Sequence, residues 1–125
     1  MTIIEAINRL DALKFNTYTQ DDKVAWLSSL DSAVKLQIID NYSGAENIPF
    51  SGYDKNTPLD TVLLVPAPYD EVYLRWMEAQ IDYYNGEYDK FNNSIIMYNT
   101  VLDAYQKYYA RTHKPVQSGG RRFLF

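Results

Sequence analysis

The sequence predicts an all-α fold: a small helical bundle with one long C-terminal helix, a long central loop and an extended C-terminal tail. Three observations support this class. Two N-terminal stretches each begin with a helix cap and continue with apolar residues at helical spacing. Apolar and aromatic residues then repeat in a 3-4 pattern from residue 74 to residue 109. Proline and glycine are concentrated between these regions, at residues 43 to 68.

The first predicted helix covers residues 2 to 13. Thr2 is a suitable N-cap, and Glu5 at the third helical position completes a capping box. Four apolar residues then share one face of the helix: Ile3, Ile7, Leu10 and Leu13. This face is expected to pack on the rest of the bundle.

The second predicted helix begins at Thr19, with Asp21 and Asp22 in the first turn, where the helix dipole favours acids. Five residues follow at helical spacing: Leu27, Leu30, Val34, Ile38 and Tyr42. The helix is expected to end before Gly44.

Residues 43 to 68 lack helical periodicity and are predicted to form a long loop, with a short extended segment at residues 61 to 65. Loops of this length are uncommon in compact domains and usually functional. Phe50 and Tyr53 are therefore candidate partner-binding residues. The alternative is a surface excursion in which Ile48, Phe50 and Tyr53 pack within the protomer.

The C-terminal half contains an uninterrupted heptad pattern of eleven residues, separated by alternating steps of three and four. They are Leu74, Met77, Ile81, Tyr84, Tyr88, Phe91, Ile95, Tyr98, Leu102, Tyr105 and Tyr109. Because the phase continues across Asn85 and Gly86, one helix over about residues 70 to 112 is favoured. Two helices divided at Asn85-Gly86 are the alternative.

A single helix of this length would extend roughly 60 Å, beyond the diameter of a compact domain this small. Its tyrosine-rich face would therefore contact other subunits, since tyrosine is favoured at protein interfaces. The predicted subunit-packing residues are Tyr84, Tyr88, Phe91, Tyr98, Tyr105 and Tyr109.

The chain of 125 residues divides into one helical domain, residues 1 to 114, and a tail, residues 115 to 125. The tail ends in two cations and three large apolar residues, so Arg121, Arg122, Phe123 and Phe125 are predicted to contact a partner. The alternative is a disordered end that its arginines keep soluble.

Charge is distributed unevenly along the chain. Residues 1 to 110 contain all sixteen acids and eight bases, a formal charge of −8, whereas residues 111 to 125 contain four bases and no acid. An acidic body argues against sequence-specific nucleic-acid binding, which requires a basic surface. The longest aliphatic run, Val62 to Val65, is far too short for a membrane span. These features favour a cytosolic product.

The sequence contains little that indicates catalysis. There is no cysteine, and the only histidine, His113, lies at a predicted helix end beside two cations. Glycine-rich nucleotide loops and nucleophile-elbow motifs are absent. Glu71, Glu78 and Asp82 are at spacings that allow a carboxylate ladder, but a solvated helix face explains them better. No enzyme, metal or cofactor site is therefore predicted.

Four segments carry a resemblance to a known family. They are LLVPAPYDEVYLRW at residues 63–76, IDYYNGEY at 81–88, FNNS at 91–94 and YYARTH at 108–113. With the helical opening, they resemble head–tail connector proteins (adaptors, or head-completion proteins) of tailed phages and prophages of Gram-positive bacteria. The resemblance covers most of residues 1 to 114, and the Arg-Arg-Phe-Leu-Phe end matches no family pattern.

The resemblance implies an α-helical virion subunit that forms a ring, commonly of about twelve copies, under the portal. Such a ring joins the head to the tail and lets DNA pass as cargo without specific contacts. The implied partners are other copies, the portal and the next neck or tail-completion protein, with no membrane involved. The expected location is the virion neck, after assembly in the host cytoplasm. A small helical module that sequesters a single protein partner is the alternative function.

Overall fold

The computed structural model describes residues 1–116, which form an all-α bundle, as predicted. The helices are α1 (Ile3–Leu13), α2 (Gln20–Gln37), α3 (Glu71–Tyr84) and α4 (Tyr88–Thr112). Two short 3-10 helices, Ile39–Asn41 and Ala45–Asn47, follow α2. The predicted tail contacts Arg121, Arg122, Phe123 and Phe125 lie outside the described residues.

Both predicted N-terminal caps are present. The Thr2 hydroxyl accepts the Glu5 N–H (3.2 Å), and the Glu5 carboxylate accepts the Thr2 N–H (2.8 Å). Thr19 and Asp22 form the same reciprocal pair at the start of α2. These bonds satisfy N–H groups that the first helical turn leaves without partners, and thereby fix where each helix begins.

The prediction of one continuous helix over residues 70–112 is wrong, and the alternative of two helices is correct. α3 ends at Tyr84, Gly86 adopts a left-handed φ of 77°, and α4 begins at Tyr88. The Gly86 N–H donates to the Tyr83 carbonyl (3.0 Å), and the Glu87 N–H donates to the Asp82 carbonyl (2.9 Å). The turn therefore satisfies backbone groups that the helix break exposes.

α3 and α4 pack as an antiparallel hairpin. Trp76 lies against Tyr98 (ring centroids 5.0 Å apart) and Tyr69 lies against Tyr105 (5.7 Å). The turn is short enough to keep the 3-4 repeat in phase. The repeat therefore reads as one continuous pattern in the sequence, but it forms two helix faces, one on α3 and one on α4, that pack against each other. α4, at 25 residues, remains a long C-terminal helix of roughly 37 Å.

The core lies between the hairpin and the two N-terminal helices. Tyr73, Met77 and Ile81 of α3 are fully buried against apolar residues of α1 and α2. The N-terminal helices contribute Ile3, Ala6, Ile7, Leu10, Val24, Leu27, Leu30 and Val34 to this core. Burial of these side chains is the main favourable term in folding.

The central loop is also part of the core. The Ile3 N–H donates to the Thr61 carbonyl (3.0 Å), and Thr2 and Val62 form an antiparallel bridge. The extended segment predicted at residues 61 to 65 is therefore limited to this bridge at Val62 and its neighbours Thr61 and Leu63, and the chain bends at Leu64 and Val65. Leu63 and Val65 are buried, so a surface excursion does not describe this part of the loop.

Candidate functional site

The tip of the hairpin, where α3 turns into α4, exposes large aromatic side chains. Tyr83, Tyr84 and Tyr88 are 49%, 59% and 61% exposed. We define the tip surface as Phe15, Tyr18, Trp26, Tyr83, Tyr84, Tyr88 and Phe91. Grouped exposed apolar side chains of this kind mark interaction sites more often than single ones do.

Six of the seven aromatic rings of the tip surface, all except Phe15, contact another ring of that surface. Trp26 and Tyr84 are stacked, with centroids 6.1 Å apart and planes 9° apart, and Tyr18 meets Trp26 edge-on at 5.4 Å. Tyr83 contacts Tyr84, Tyr88 and Phe91 at 5.3, 6.0 and 5.5 Å. Such packing orders the rings before any partner arrives, which lowers the entropy lost on binding.

A groove of about 260 Å³ opens among these rings, lined by Tyr18, Asp22, Trp26 and Tyr84. It combines three aromatic faces with one carboxylate. Aromatic faces and a carboxylate together suit a ligand that is apolar and cationic, such as an arginine beside an apolar side chain.

Polar contacts hold the tip in place. The Lys14 ammonium lies 2.8 Å from Asp82, whose carboxylate is 1% exposed and also accepts the Ser94 hydroxyl (2.6 Å). The Tyr18 hydroxyl donates to Asn85 at 2.6 Å. Lys14 and Tyr18 thus tie the segment after α1 to the end of α3, which places Phe15, 88% exposed, at the same end of the molecule.

The carboxylate ladder that the sequence spacing allows does not form. Glu71 and Glu78 both pair with Arg75, at 3.3 and 3.2 Å, whereas Asp82 is turned inward toward Lys14. The preferred interpretation of a solvated helix face is therefore wrong for Asp82. Within residues 1–116, no group of three or more potential ligand side chains is arranged to hold a metal ion.

A second buried carboxylate, Asp31 on α2, anchors the central loop. It is fully buried and accepts the Tyr53 hydroxyl (2.5 Å), the Tyr73 hydroxyl (2.6 Å) and the Leu64 N–H (3.1 Å). Burial raises the pKa of Asp31, although these three hydrogen bonds offset part of that rise. Burial also raises the pKa of both tyrosine hydroxyls, which keeps them protonated as donors.

The two loop residues predicted to bind a partner have contacts within the protomer. The hydroxyl of Tyr53 is engaged by Asp31, and Phe50 packs edge-on against the Tyr53 ring at 5.0 Å. A more open groove of about 390 Å³ lies beside them, lined by Tyr53 and mostly polar residues. The loop side chains therefore have a structural role in the protomer.

The predicted subunit-packing residues divide into two groups. Tyr84 and Tyr88 are exposed and Phe91 is half-buried, all at the tip. Tyr98, Tyr105 and Tyr109 are only 9%, 2% and 5% exposed, so they belong to the protomer's own core. The prediction is wrong for these three, because the antiparallel hairpin covers them with α3 and the loop.

The base of the hairpin, opposite the tip, is a closed aromatic cluster. Tyr69 contacts Tyr105 and Tyr108, and Tyr42 contacts Tyr109 at 5.3 Å. The His113 ring stacks on Tyr109 with centroids 3.7 Å apart. His113 therefore packs against the end of α4.

Sequence reasoning identified part of the tip surface and missed the rest. Phe15, Tyr18 and Tyr83 lie outside the heptad pattern, and Trp26 only flanked the apolar face of α2. Phe15 and Tyr18 lie between two predicted helices, whereas Tyr83 lies within the favoured single helix, so no common sequence feature singled them out. Among the described residues, no helix combines the length and hydropathy of a membrane span. A scan of protein-family models and searches of curated proteins and of solved structures found no match to this chain.

Proposed function

We propose that the chain is a structural virion protein of a tailed phage or prophage, a head–tail connector that forms a ring on the portal. The ring joins head to tail and lets DNA pass. The resemblance of four sequence segments to connector proteins motivates this proposal. The observation that supports it best is the tip surface, a pre-ordered aromatic patch that the protomer leaves uncovered.

The positions of the tip surface and of the start of the C-terminal segment, at opposite ends of α4, suit a ring subunit. α4 runs roughly 37 Å from the tip to the base, where Pro115 pairs with Tyr42. A subunit with an aromatic patch at one end and its C-terminal segment leaving from the other has two different contact regions. Two different contact regions are what a ring of identical copies requires.

The charge of the body suits passage of DNA. Residues 1 to 110 have a formal charge of −8, so a channel lined by this body would repel the phosphate backbone. Repulsion would keep the passing DNA from binding the channel wall.

The experiment mixes the full chain with the portal protein encoded in the same phage genome and measures complex mass by light scattering. We expect many copies of the chain per portal ring. A single copy bound per portal assembly would support the alternative, sequestration of a single protein, and absence of any complex would contradict the connector function.

A matched pair of variants tests whether the tip surface is used. Tyr84→Ala combined with Tyr88→Ala should lower the number of copies bound, because both side chains are exposed at the tip. Ile96→Ala is the control, since Ile96 is 61% exposed but lies on α4 outside the tip surface. Equal loss in both variants would argue against a role for the tip.

A further inference from the structure

We propose that the C-terminal segment of one copy, residues 117 to 125, docks in the tip groove of a neighbouring copy. The tip groove is the cleft lined by Tyr18, Asp22, Trp26 and Tyr84. This inference rests on the proposed role as a ring subunit and names the contact that would join neighbouring copies.

The composition of the segment matches the groove. The segment ends in Arg121, Arg122, Phe123, Leu124 and Phe125. Arginine guanidinium groups stack on aromatic faces and pair with carboxylates, and phenylalanine rings add aromatic contact area. In the groove, the rings of Tyr18, Trp26 and Tyr84 are available for stacking with arginine and for contact with phenylalanine, and Asp22 is available for the ion pair.

Charge favours the same pairing. The last fifteen residues contain four bases and no acid, whereas the rest of the chain has a formal charge of −8. Opposite charges on the two surfaces speed encounter and select the correct partner surface. A second tip surface is a poorer match, because it would bring two copies of Asp22 together.

The length of the segment indicates that the groove belongs to another copy. The described chain ends beside the base, where the Val116 N–H donates to Asn41 and Pro115 pairs with Tyr42. The Tyr42 ring contacts Tyr109, while Phe91, eighteen residues earlier on α4, contacts Tyr83 at the tip. Eighteen helical residues span about 27 Å.

A fully extended chain advances at most about 3.5 Å per residue, so Phe123 reaches no more than about 25 Å from Val116. Arg121 and Arg122 reach less far. The backbone of Arg121 and Arg122 therefore stops short of the tip of its own copy, and their side chains would approach Asp22 there only with the chain fully extended. A groove on a neighbouring copy does not impose this constraint, so the Arg-Arg-Phe-Leu-Phe block fits a neighbour's groove better.

The consequence is a head-to-tail contact. Each copy would use its segment on one neighbour and its groove on the other, so the two contacting surfaces differ. Repeated contacts of this type close into a ring when the rotation between copies allows it. A symmetric tip-to-tip dimer would instead leave the segment unused.

The experiment measures fluorescence anisotropy of a labelled peptide with the sequence of residues 117 to 125. The receptor is the full-length chain with four alanines in the segment (R121A, R122A, F123A and F125A), so that its own segment does not compete. We expect saturable binding that becomes roughly tenfold weaker when Tyr84→Ala is added to the receptor. Binding should also weaken with rising salt, because part of it comes from charge.

Two controls make the result specific. Ile96→Ala in the receptor should leave the affinity unchanged, and a peptide with alanine at positions 123 and 125 should bind much more weakly. Lack of saturable binding, or equal binding to the Tyr84→Ala receptor, would overturn the inference.

The outcome is separable from that of the proposed function. Many copies on the portal without peptide binding would leave the ring intact and overturn only the segment-to-groove contact. Peptide binding with a single copy bound per portal assembly would support the contact and overturn the ring.

Discussion

The tip and the base of the α3–α4 hairpin have the same kinds of side chains at the same spacing, yet only the base is covered. At the base, Tyr105 is 2% exposed and Tyr109 is 5% exposed. At the tip, Tyr84 and Tyr88, members of the same heptad pattern, are 59% and 61% exposed. The difference therefore comes from the segments that fold over each end.

The loop and the end of α2 cover the base. Tyr69 from the loop packs on Tyr105, and Tyr42, just after the first 3-10 helix, packs on Tyr109. At the tip, the aromatic rings that pack on the hairpin from the N-terminal segments are those of Tyr18 and Trp26, and both pack on Tyr84. Heptad spacing identifies the side chains that share a face, but the connecting segments decide whether that face is core or surface.

The two buried carboxylates differ in a related way. Asp82 near the tip has a cationic partner, Lys14, that is itself 26% exposed. Asp31, which anchors the loop, is satisfied by two tyrosine hydroxyls and a backbone N–H, all neutral donors. The loop anchor therefore depends on hydrogen bonds, whereas the tip depends on an ion pair at the edge of solvent.

The largest expected effect is at the base. Tyr105→Ala should lower the free energy of unfolding by about 3–5 kcal/mol, since it removes a buried aromatic ring and leaves a cavity. Urea denaturation followed by circular dichroism measures the change. A loss below about 1 kcal/mol would mean that the base is not a closed core.

The next effect concerns the ion pair at the tip. Lys14→Met should lower the free energy of unfolding by about 2 kcal/mol, because it leaves Asp82 buried without its cation. The loss is smaller than for a fully buried pair, because Lys14 is 26% exposed and solvent reaches the site from its side. Lys107→Met is the matched control, since Lys107 pairs with Asp103 where both side chains are more than half exposed. Similar losses in the two variants, measured by urea denaturation, would contradict the role assigned to Asp82.

A smaller effect on the free energy of unfolding is expected when the pH changes the protonation of Asp31, the carboxylate that anchors the central loop. Because burial raises the pKa of Asp31 in the folded state, the folded chain holds this proton more tightly than the unfolded chain does. The stability from this group is fully present below its ordinary pKa of 3.8 and is lost as pH rises through the raised value. The loss is at most about 1.4 kcal/mol per pH unit for one proton.

Comparison with Asp31→Asn isolates this contribution. Hydrogen bonds lower the pKa of the exposed carboxyls Glu5 and Glu87, so their contribution to stability changes with pH in the opposite direction. Because these two groups are present in both proteins, their contribution cancels in the comparison. The stability of the parent relative to the variant should fall as pH rises. A relative stability that rises with pH would show that the three hydrogen bonds outweigh burial. Titration of the Asp31 carboxyl carbon by NMR gives the direction in the parent chain alone.

Much of the fold was predictable because its signals are local. The capping boxes at Thr2 and Thr19 and the apolar faces that follow them define α1 and α2 without reference to the rest of the chain. The favoured prediction missed the break at Gly86, because the three-residue turn between α3 and α4 preserves the 3-4 phase. Spacing alone does not distinguish one helix from a hairpin when the turn keeps both faces aligned.

The site was only partly predictable because its members come from distant segments. Tyr84, Tyr88 and Phe91 were identified from the heptad pattern, but Tyr18 and Trp26 join them through tertiary packing. Asp31 gave a usable signal, an acid within the apolar face of α2, between Leu27, Leu30 and Val34. A buried acid among apolar positions requires donors, and the tyrosines that supply them are 22 and 42 residues away in sequence.

The smallest effect on stability is expected at the tip, and it completes the comparison with Tyr105. Tyr88→Ala should change the free energy of unfolding by less than about 0.5 kcal/mol, because the side chain is 61% exposed. The same urea measurement applies, and a loss approaching that of Tyr105→Ala would show that the tip is core. A small loss has a further use: since the variant stays folded, any decrease in its assembly on the portal comes from the missing surface ring and not from unfolding.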